Sequence, residues 1–264
     1  MKFFVSSFLT CFSLMVSGYL VADDQMKSRE TEVNSKAISF LQTQVDSGIT
    51  INKALGMLLE RYPEHSSSLV MAALKAYPNR YEEILKASIS VNPSFIDEII
   101  MVAIEANIAD TTEIVEIAIS ADPSYAEDVT KAACKYNPDY FKEIIRVAVH
   151  TEPDSADQIA KKLVKAYPSR TFEILITAMK EVPLVGKYVL DALLATVDEN
   201  DEETSSEMII ISVEQLAQHP DAIARLIALA QQHEVDELAL KESAIKGGLD
   251  EKTVTALIEQ YYNQ

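Results

Sequence analysis

The sequence predicts an all-α fold: an α-solenoid of 15-residue single-helix units that pair as antiparallel helical hairpins. Three observations predict it. Proline recurs at a 15-residue step, apolar residues within each step follow a helical period, and the periodic segments carry no strand-like alternation. A fixed period decides the architecture first, because a repeat of this size cannot bury its apolar face alone and must stack.

Residues 1–22 come before any repeat. They hold one cation, Lys2, an apolar run from Phe3 to about Met15, then small residues up to Ala22 ahead of Asp23 and Asp24. This is the layout of a secretory signal peptide, with cleavage after Ala22 or, as the alternative, after Gly18. The run reaches the roughly 20 residues of a membrane span, so a retained anchor is the competing reading. Ser6, Ser7, Thr10, Ser13 and Ser17 dilute it and favour cleavage. The order Phe8-Leu9-Thr10-Cys11 does not follow the pattern that precedes a lipidated cysteine. Within 23–47, the segment 30–46 with Val33, Ala37, Phe40, Leu41 and Val45 reads as an N-terminal capping helix.

The repeats occupy 48–197. Prolines stand at 63, 78, 93, 123, 138, 153, 168 and 183, and Ile108 holds the place where the step doubles. With proline as unit position 1, position 7 reads Leu69, Ile84, Ile99, Ile114, Val129, Ile144, Ile159, Ile174 and Val189. Position 12 reads Leu74, Ile89, Ile104, Ile119, Cys134, Val149, Val164, Met179 and Leu194, and position 11 is mostly Ala. The stretch 48–62 fits the template without a proline, making ten units. Apolar residues at 4, 7, 8, 11 and 12 form one stripe of a 3.6-residue period, so each unit is one amphipathic helix of about three turns. Position 2 offers capping residues (Asn79, Ser94, Ser124, Asp139, Asp154, Ser169), with an acid three residues on at Glu82, Asp97, Glu127 and Asp157. That spacing predicts a capping box. The proline before it stops the previous helix. About three residues remain for the connection, which makes consecutive helices antiparallel neighbours. Over roughly 48–197 the chain resembles the helical-repeat solenoids, the class that includes HEAT and armadillo arrays. The resemblance is one of architecture and implies a stacked two-layer array; no signature residue of those repeats is present to carry a function.

After the tenth unit, 198–204 is an acidic loop, Asp198-Glu199-Asn200-Asp201-Glu202-Glu203 and Thr204. Helices are expected near 207–218, 220–233, 235–246 and 250–262, with Gly247-Gly248 as a helix stop. Residues 205–264 therefore read as degenerate units forming a C-terminal cap.

The formal charge is −18, and removing residues 1–22 takes away one Lys and no acid. A chain so acidic repels nucleic acid and anionic lipid, and after signal cleavage no membrane insertion is expected. The mature chain keeps one cysteine, Cys134, so no internal disulfide can form in the oxidising compartment to which export leads.

The search for chemistry finds no catalytic constellation. The five glycines beyond residue 22 build no phosphate loop. His65, His150, His219 and His233 lie far apart and form no metal-binding spacing. Cys134 sits at position 12, where other units place aliphatic residues or Met, and reads as a buried thiol. The loop 198–203 lacks the glycine and the bidentate Glu of a Ca²⁺ loop. Tyrosines at unit ends and starts, such as Tyr62, Tyr136 and Tyr167, read as covers for helix termini. No catalytic residue, metal or cofactor is assigned.

Acids at position 6 (Glu83, Glu98, Glu113, Asp128, Glu143, Glu173) suit the helix dipole. Three of them are spaced for intrahelical pairs: Glu83–Lys86, Asp128–Lys131 and Glu143–Arg146. Between Lys86 and Lys131, however, there is no Lys or Arg. The fourth and fifth units, 93–107 and 108–122, therefore present acids expected to be unpaired, and Asp97, Glu98, Glu105, Asp110, Glu113 and Glu116 are the candidate partner-binding residues. They suit a protein partner with a cationic surface, or a divalent ion. The functional expectation is an exported, secreted or periplasmic, non-enzymatic binding or scaffold protein that recognises a protein partner along a repeat surface. Two alternatives stand beside it: a structural component of the cell envelope or extracellular matrix that self-assembles through its ends, and an enzyme or ligand-binding protein whose site is assembled across repeats.

Overall fold

The computed structural model describes residues 34–182, 186–195 and 202–262. Residues 1–22, which read as a signal peptide, together with Pro183 and most of the expected acidic loop, lie outside the described residues. Among the described residues there are helices and no strand, so the chain is an all-α repeat array. No single helix among them is long and apolar enough to cross a membrane.

A proline unit divides into an 11-residue α-helix at positions 4–14, one non-helical residue at position 15, and a three-residue 3-10 turn opened by the next proline. In one instance Ser66–Ala76 is helical, Tyr77 has φ −134° and ψ 60°, and Pro78–Arg80 is the turn that enters the helix Tyr81–Val91. This corrects the expected capping box. Ser and Asp at position 2 lie inside the 3-10 turn, and in these units no side chain caps the α-helix. The backbone explains why. Proline has no N–H to satisfy, and the N–H two residues later bonds the carbonyl before the proline, as His65 does to Tyr62 and Arg80 to Tyr77. Side-chain caps do form at two helices that proline does not open: Asp236 accepts from the Ala239 N–H at 2.8 Å and Asp250 from the Thr253 N–H at 3.0 Å. In the unit that replaces proline with Ile108, Asn107 turns left-handed at φ 50°, and the register survives because the next helix still begins at position 4, Thr111.

The contacts divide the chain into two compact units, one ending at Asn92 and the other beginning at Pro93. The 15-residue period passes through that boundary unchanged. The first unit contains α1 (34–46), α2 (Ile51–Arg61), α3 (Ser66–Ala76) and α4 (Tyr81–Val91). Gly48, at φ +84°, lets α1 close with a Schellman turn, Ile49 N–H bonding the Gln44 carbonyl. Helix α2 packs on α4, and α3 lies between them in sequence and touches both.

The second unit begins with α5 (Ile96–Ala106), α6 (Thr111–Ala121), α7 (Ala126–Tyr136), α8 (Phe141–Thr151), α9 (Ala156–Ala166), α10 (Thr171–Glu181) and α11 (Gly186–Leu194). It continues with α12 (Glu202–Leu216), α13 (Pro220–Gln232), α14 (Glu237–Lys246) and α15 (Glu251–Tyr262). From α5 to α11 successive helices touch, and the larger interfaces join helices two places apart: α5 with α7, α6 with α8, α7 with α9, α8 with α10, α9 with α11. Helix α12 starts at Glu202, so Glu202, Glu203 and Thr204 are its first turn and not part of a loop; acids there complement the helix dipole.

The core follows the stripe. Every position-7 residue from Leu69 to Val189 is buried, as are Val70, Leu85, Ile100, Val115, Ile145, Ala160, Leu175 and Leu190 at position 8. Position 12 is buried except at Ile104 and Leu194, which are half-buried. Two buried hydroxyls in this stripe bond their own helix: Ser88 donates to the Ile84 carbonyl and Thr130 to Ala126.

Candidate partner-binding surfaces

Helices α5 and α6 place the acids singled out from the sequence in two different situations. Asp97, at the second residue of α5, is not unpaired. Its Oδ2 accepts from Lys135 Nζ at 2.8 Å and from the Tyr136 hydroxyl at 2.6 Å, both on α7. Burial pushes the Asp97 carboxyl up, but the Lys135 and Tyr136 hydrogen bonds outweigh it and hold it below the usual range. The same pair drives the Lys135 pKa upward. Glu98 is half-buried on α5. Glu105, Asp110, Glu113 and Glu116 are exposed, Glu105 near the end of α5, Asp110 just before α6, and the other two on α6. Among the described residues Glu98, Glu105, Asp110 and Glu116 make no ion pair. Nor do three His, Cys, Asp or Glu side chains converge anywhere among them in a way that would hold a metal ion.

Elsewhere in the array the acids are answered, but not by the intrahelical neighbours expected. Glu83 pairs with Arg80 at 2.8 Å, and Lys86 reaches Glu82 at 2.6 Å. Asp128 and Glu127 share Lys162 of α9 at 3.0 and 3.2 Å. Arg146 turns to Glu181 of α10 at 3.9 Å, not to Glu143. At Asp128 and Arg146, the stacking of helices two places apart brings a partner within reach that replaces the expected i,i+3 neighbour.

Cys134 is buried in the α7 stripe, and burial pushes its thiol up to about 12. Such a thiol is not a nucleophile at neutral pH.

Compared with protein-family profiles, curated proteins and solved structures, the chain matches none. The surfaces must therefore be read from their own chemistry.

One surface was not singled out in the sequence. In the first unit, α1, α2 and α3 border an open groove of 720 Å³ whose floor is Ala37, Phe40, Leu58 and Leu69. Met57, 38% exposed, and Tyr62, 41% exposed, also line it. Lys36, Arg61 and His65 also line it, and no carboxylate does among the described residues. Tyr62 is thus part of an open surface, unlike Tyr136 and Tyr167, which are engaged with neighbouring helices. The sequence held one signal for this groove: Met57 and Arg61 carry the apolar and cationic character of α2 beyond its core stripe. Their meeting with α1 and α3 depends on packing and is not legible from a period.

Proposed function

We propose that the protein is an exported, non-enzymatic binding module that recognises a cationic protein surface through the carboxylates of α5 and α6. Export rests on the signal-like residues 1–22. The observation that carries the recognition is the charge of one stretch: no Lys or Arg stands between Lys86 and Lys131, while Glu105, Asp110 and Glu116 are exposed and make no ion pair among the described residues. A partner bearing Lys or Arg gains charge pairing there without displacing an existing pair. Long-range attraction of this kind speeds encounter and is screened over about 8 Å at physiological ionic strength.

The test is capture of partners from the native host by the mature protein, compared with a variant carrying Glu98→Lys, Glu105→Lys and Glu116→Lys. Glu83→Lys is the control, since Glu83 already has Arg80. The captured partner should bind the triple variant at least tenfold more weakly, and its binding to the wild type should fall as salt rises. Equal binding by both, independent of salt, overturns the proposal.

A further inference from the structure

The groove of the first unit is opposite in character to the rest of the molecule. In a chain of formal charge −18 it is an apolar trough lined also by Lys36 and Arg61, with no carboxylate lining it among the described residues. Arg61 makes no ion pair among the described residues; its guanidinium lies 5.8 Å from the Tyr62 ring. The occupant that such a trough fits is a helix with apolar anchors seven residues apart on one face and acids beside them.

The second unit displays such a ridge. On α14, Leu238 is 64% exposed and Ile245 is 40% exposed, although both are large and aliphatic. They are seven residues apart, hence about 10.5 Å along one face, with exposed Glu242 between them. Exposed Glu234 and Glu237 precede them. The lysines of this helix do not neutralise these acids: Lys241 pairs with Glu251 at 2.9 Å and Lys246 with Glu214 at 2.9 Å. Glu234, Glu237 and Glu242 make no ion pair among the described residues. Of the six large apolar side chains that are exposed there, two line the groove and two form the ridge.

We propose that the groove of one copy seats the α14 ridge of a second copy. Leu238 and Ile245 bury against Phe40, Met57 and Leu69, and the acids of α14 meet Arg61 and Lys36. The two surfaces differ, so the interface is heterologous: each added copy leaves one groove and one ridge open, and growth continues unless geometry closes a ring. Self-association of this kind is independent of the cationic partner, because it uses neither α5 nor α6.

Sedimentation velocity of the purified chain from Asp23 onward, over a range of concentrations and with nothing else present, is the test. The wild type should grow in size with concentration, and less so at high salt. A groove variant, Met57→Glu with Arg61→Glu, and a ridge variant, Leu238→Gln with Ile245→Gln, should each remain monomeric. All four side chains are exposed, and unchanged helical circular dichroism and thermal melting confirm that folding is retained. Mixed in equal amounts, the two variants retain one intact groove and one intact ridge between them, so they should form a 1:1 dimer and stop. A wild type that is monomeric at every concentration overturns the proposal. So does assembly of either variant at wild-type level, or a mixture that stays monomeric while the wild type assembles. Partner capture and self-association are read in separate experiments, so failure of one leaves the other standing.

Discussion

The Asn137 side-chain amide donates a 2.7 Å hydrogen bond to the Thr111 hydroxyl, 26 residues earlier in the chain. Asn137 is at position 15 of its unit and Thr111 at position 4 of the unit before, so the end of α7 returns to the start of α6, as an antiparallel hairpin requires. The same offset recurs in the first unit, where Asn92 donates to Ser66 at 3.0 Å. At Phe141 and Tyr167, also 26 apart, the polar pair is replaced by an edge-to-face aromatic contact at 5.3 Å. Ser66 and Thr111 are buried, so each amide meets a buried hydroxyl.

Asn137→Ala should destabilise the protein by about 1 kcal/mol, the net worth of a hydrogen bond whose partner stays buried. Urea unfolding measures this. Thr111→Val should cost a similar amount, and the double variant should cost less than the sum. Additivity would show that the two side chains do not interact.

Ile114 is fully buried on α6. Ile114→Asp should cost more than the roughly 1.5–3 kcal/mol that burying the apolar side chain contributes, because it adds an unpaired carboxylate to the interior. Ile114→Val should cost only about 0.5–1.5 kcal/mol. Wild-type melting of the Asp variant would place position 7 outside the core.

Asp97 predicts a contribution to acid stability. Its folded pKa lies below its unfolded value because the bonds from Lys135 and Tyr136 outweigh desolvation. A depressed carboxylate contributes stability above its unfolded pKa of about 3.9, and that contribution is lost as pH falls through the folded value. Asp97→Asn should therefore lower stability at pH 7 and flatten its loss between about pH 5 and the acid limit. Half of the Lys135 side chain is exposed, so the effect should shrink as salt rises.

The glycines predict opposite signs. A Cβ on Gly56, inside α2, would meet only Val91 Cγ2 at 3.6 Å, an ordinary contact, so Gly56→Ala should stabilise by about 0.5–1 kcal/mol. A Cβ on Gly247 would fall 2.2 Å from the Glu214 carbonyl oxygen, so Gly247→Ala must push α12 away and should lower the melting temperature. Thermal melts of the two variants compare them directly.

Much of this molecule was written into a period. Leu, Ile and Val at positions 7 and 8 are buried wherever described, and the helices near 220–233, 235–246 and 250–262 occur within a few residues of their expected bounds. Both follow from local rules: a 3.6-residue stripe defines one helical face, and proline forbids the preceding helix to continue. The entry to each proline-opened helix departs from the expected capping box for an equally local reason. The Ser and Asp after proline look like caps, but the 3-10 turn already satisfies the backbone groups a cap would serve.

The sequence by itself determined the secondary structure, the unit length and which face of each helix is apolar, because those depend on residues within four places of one another. Only the tertiary structure decided that Asp97 meets Lys135, that Arg146 prefers Glu181, that the array divides after Asn92, and that α1 to α3 leave a groove open beside Arg61. Each of these depends on groups about 25 to 40 residues apart. Their distance is set by how helices two places apart stack, and a repeating unit carries no record of which side chains that stacking brings face to face.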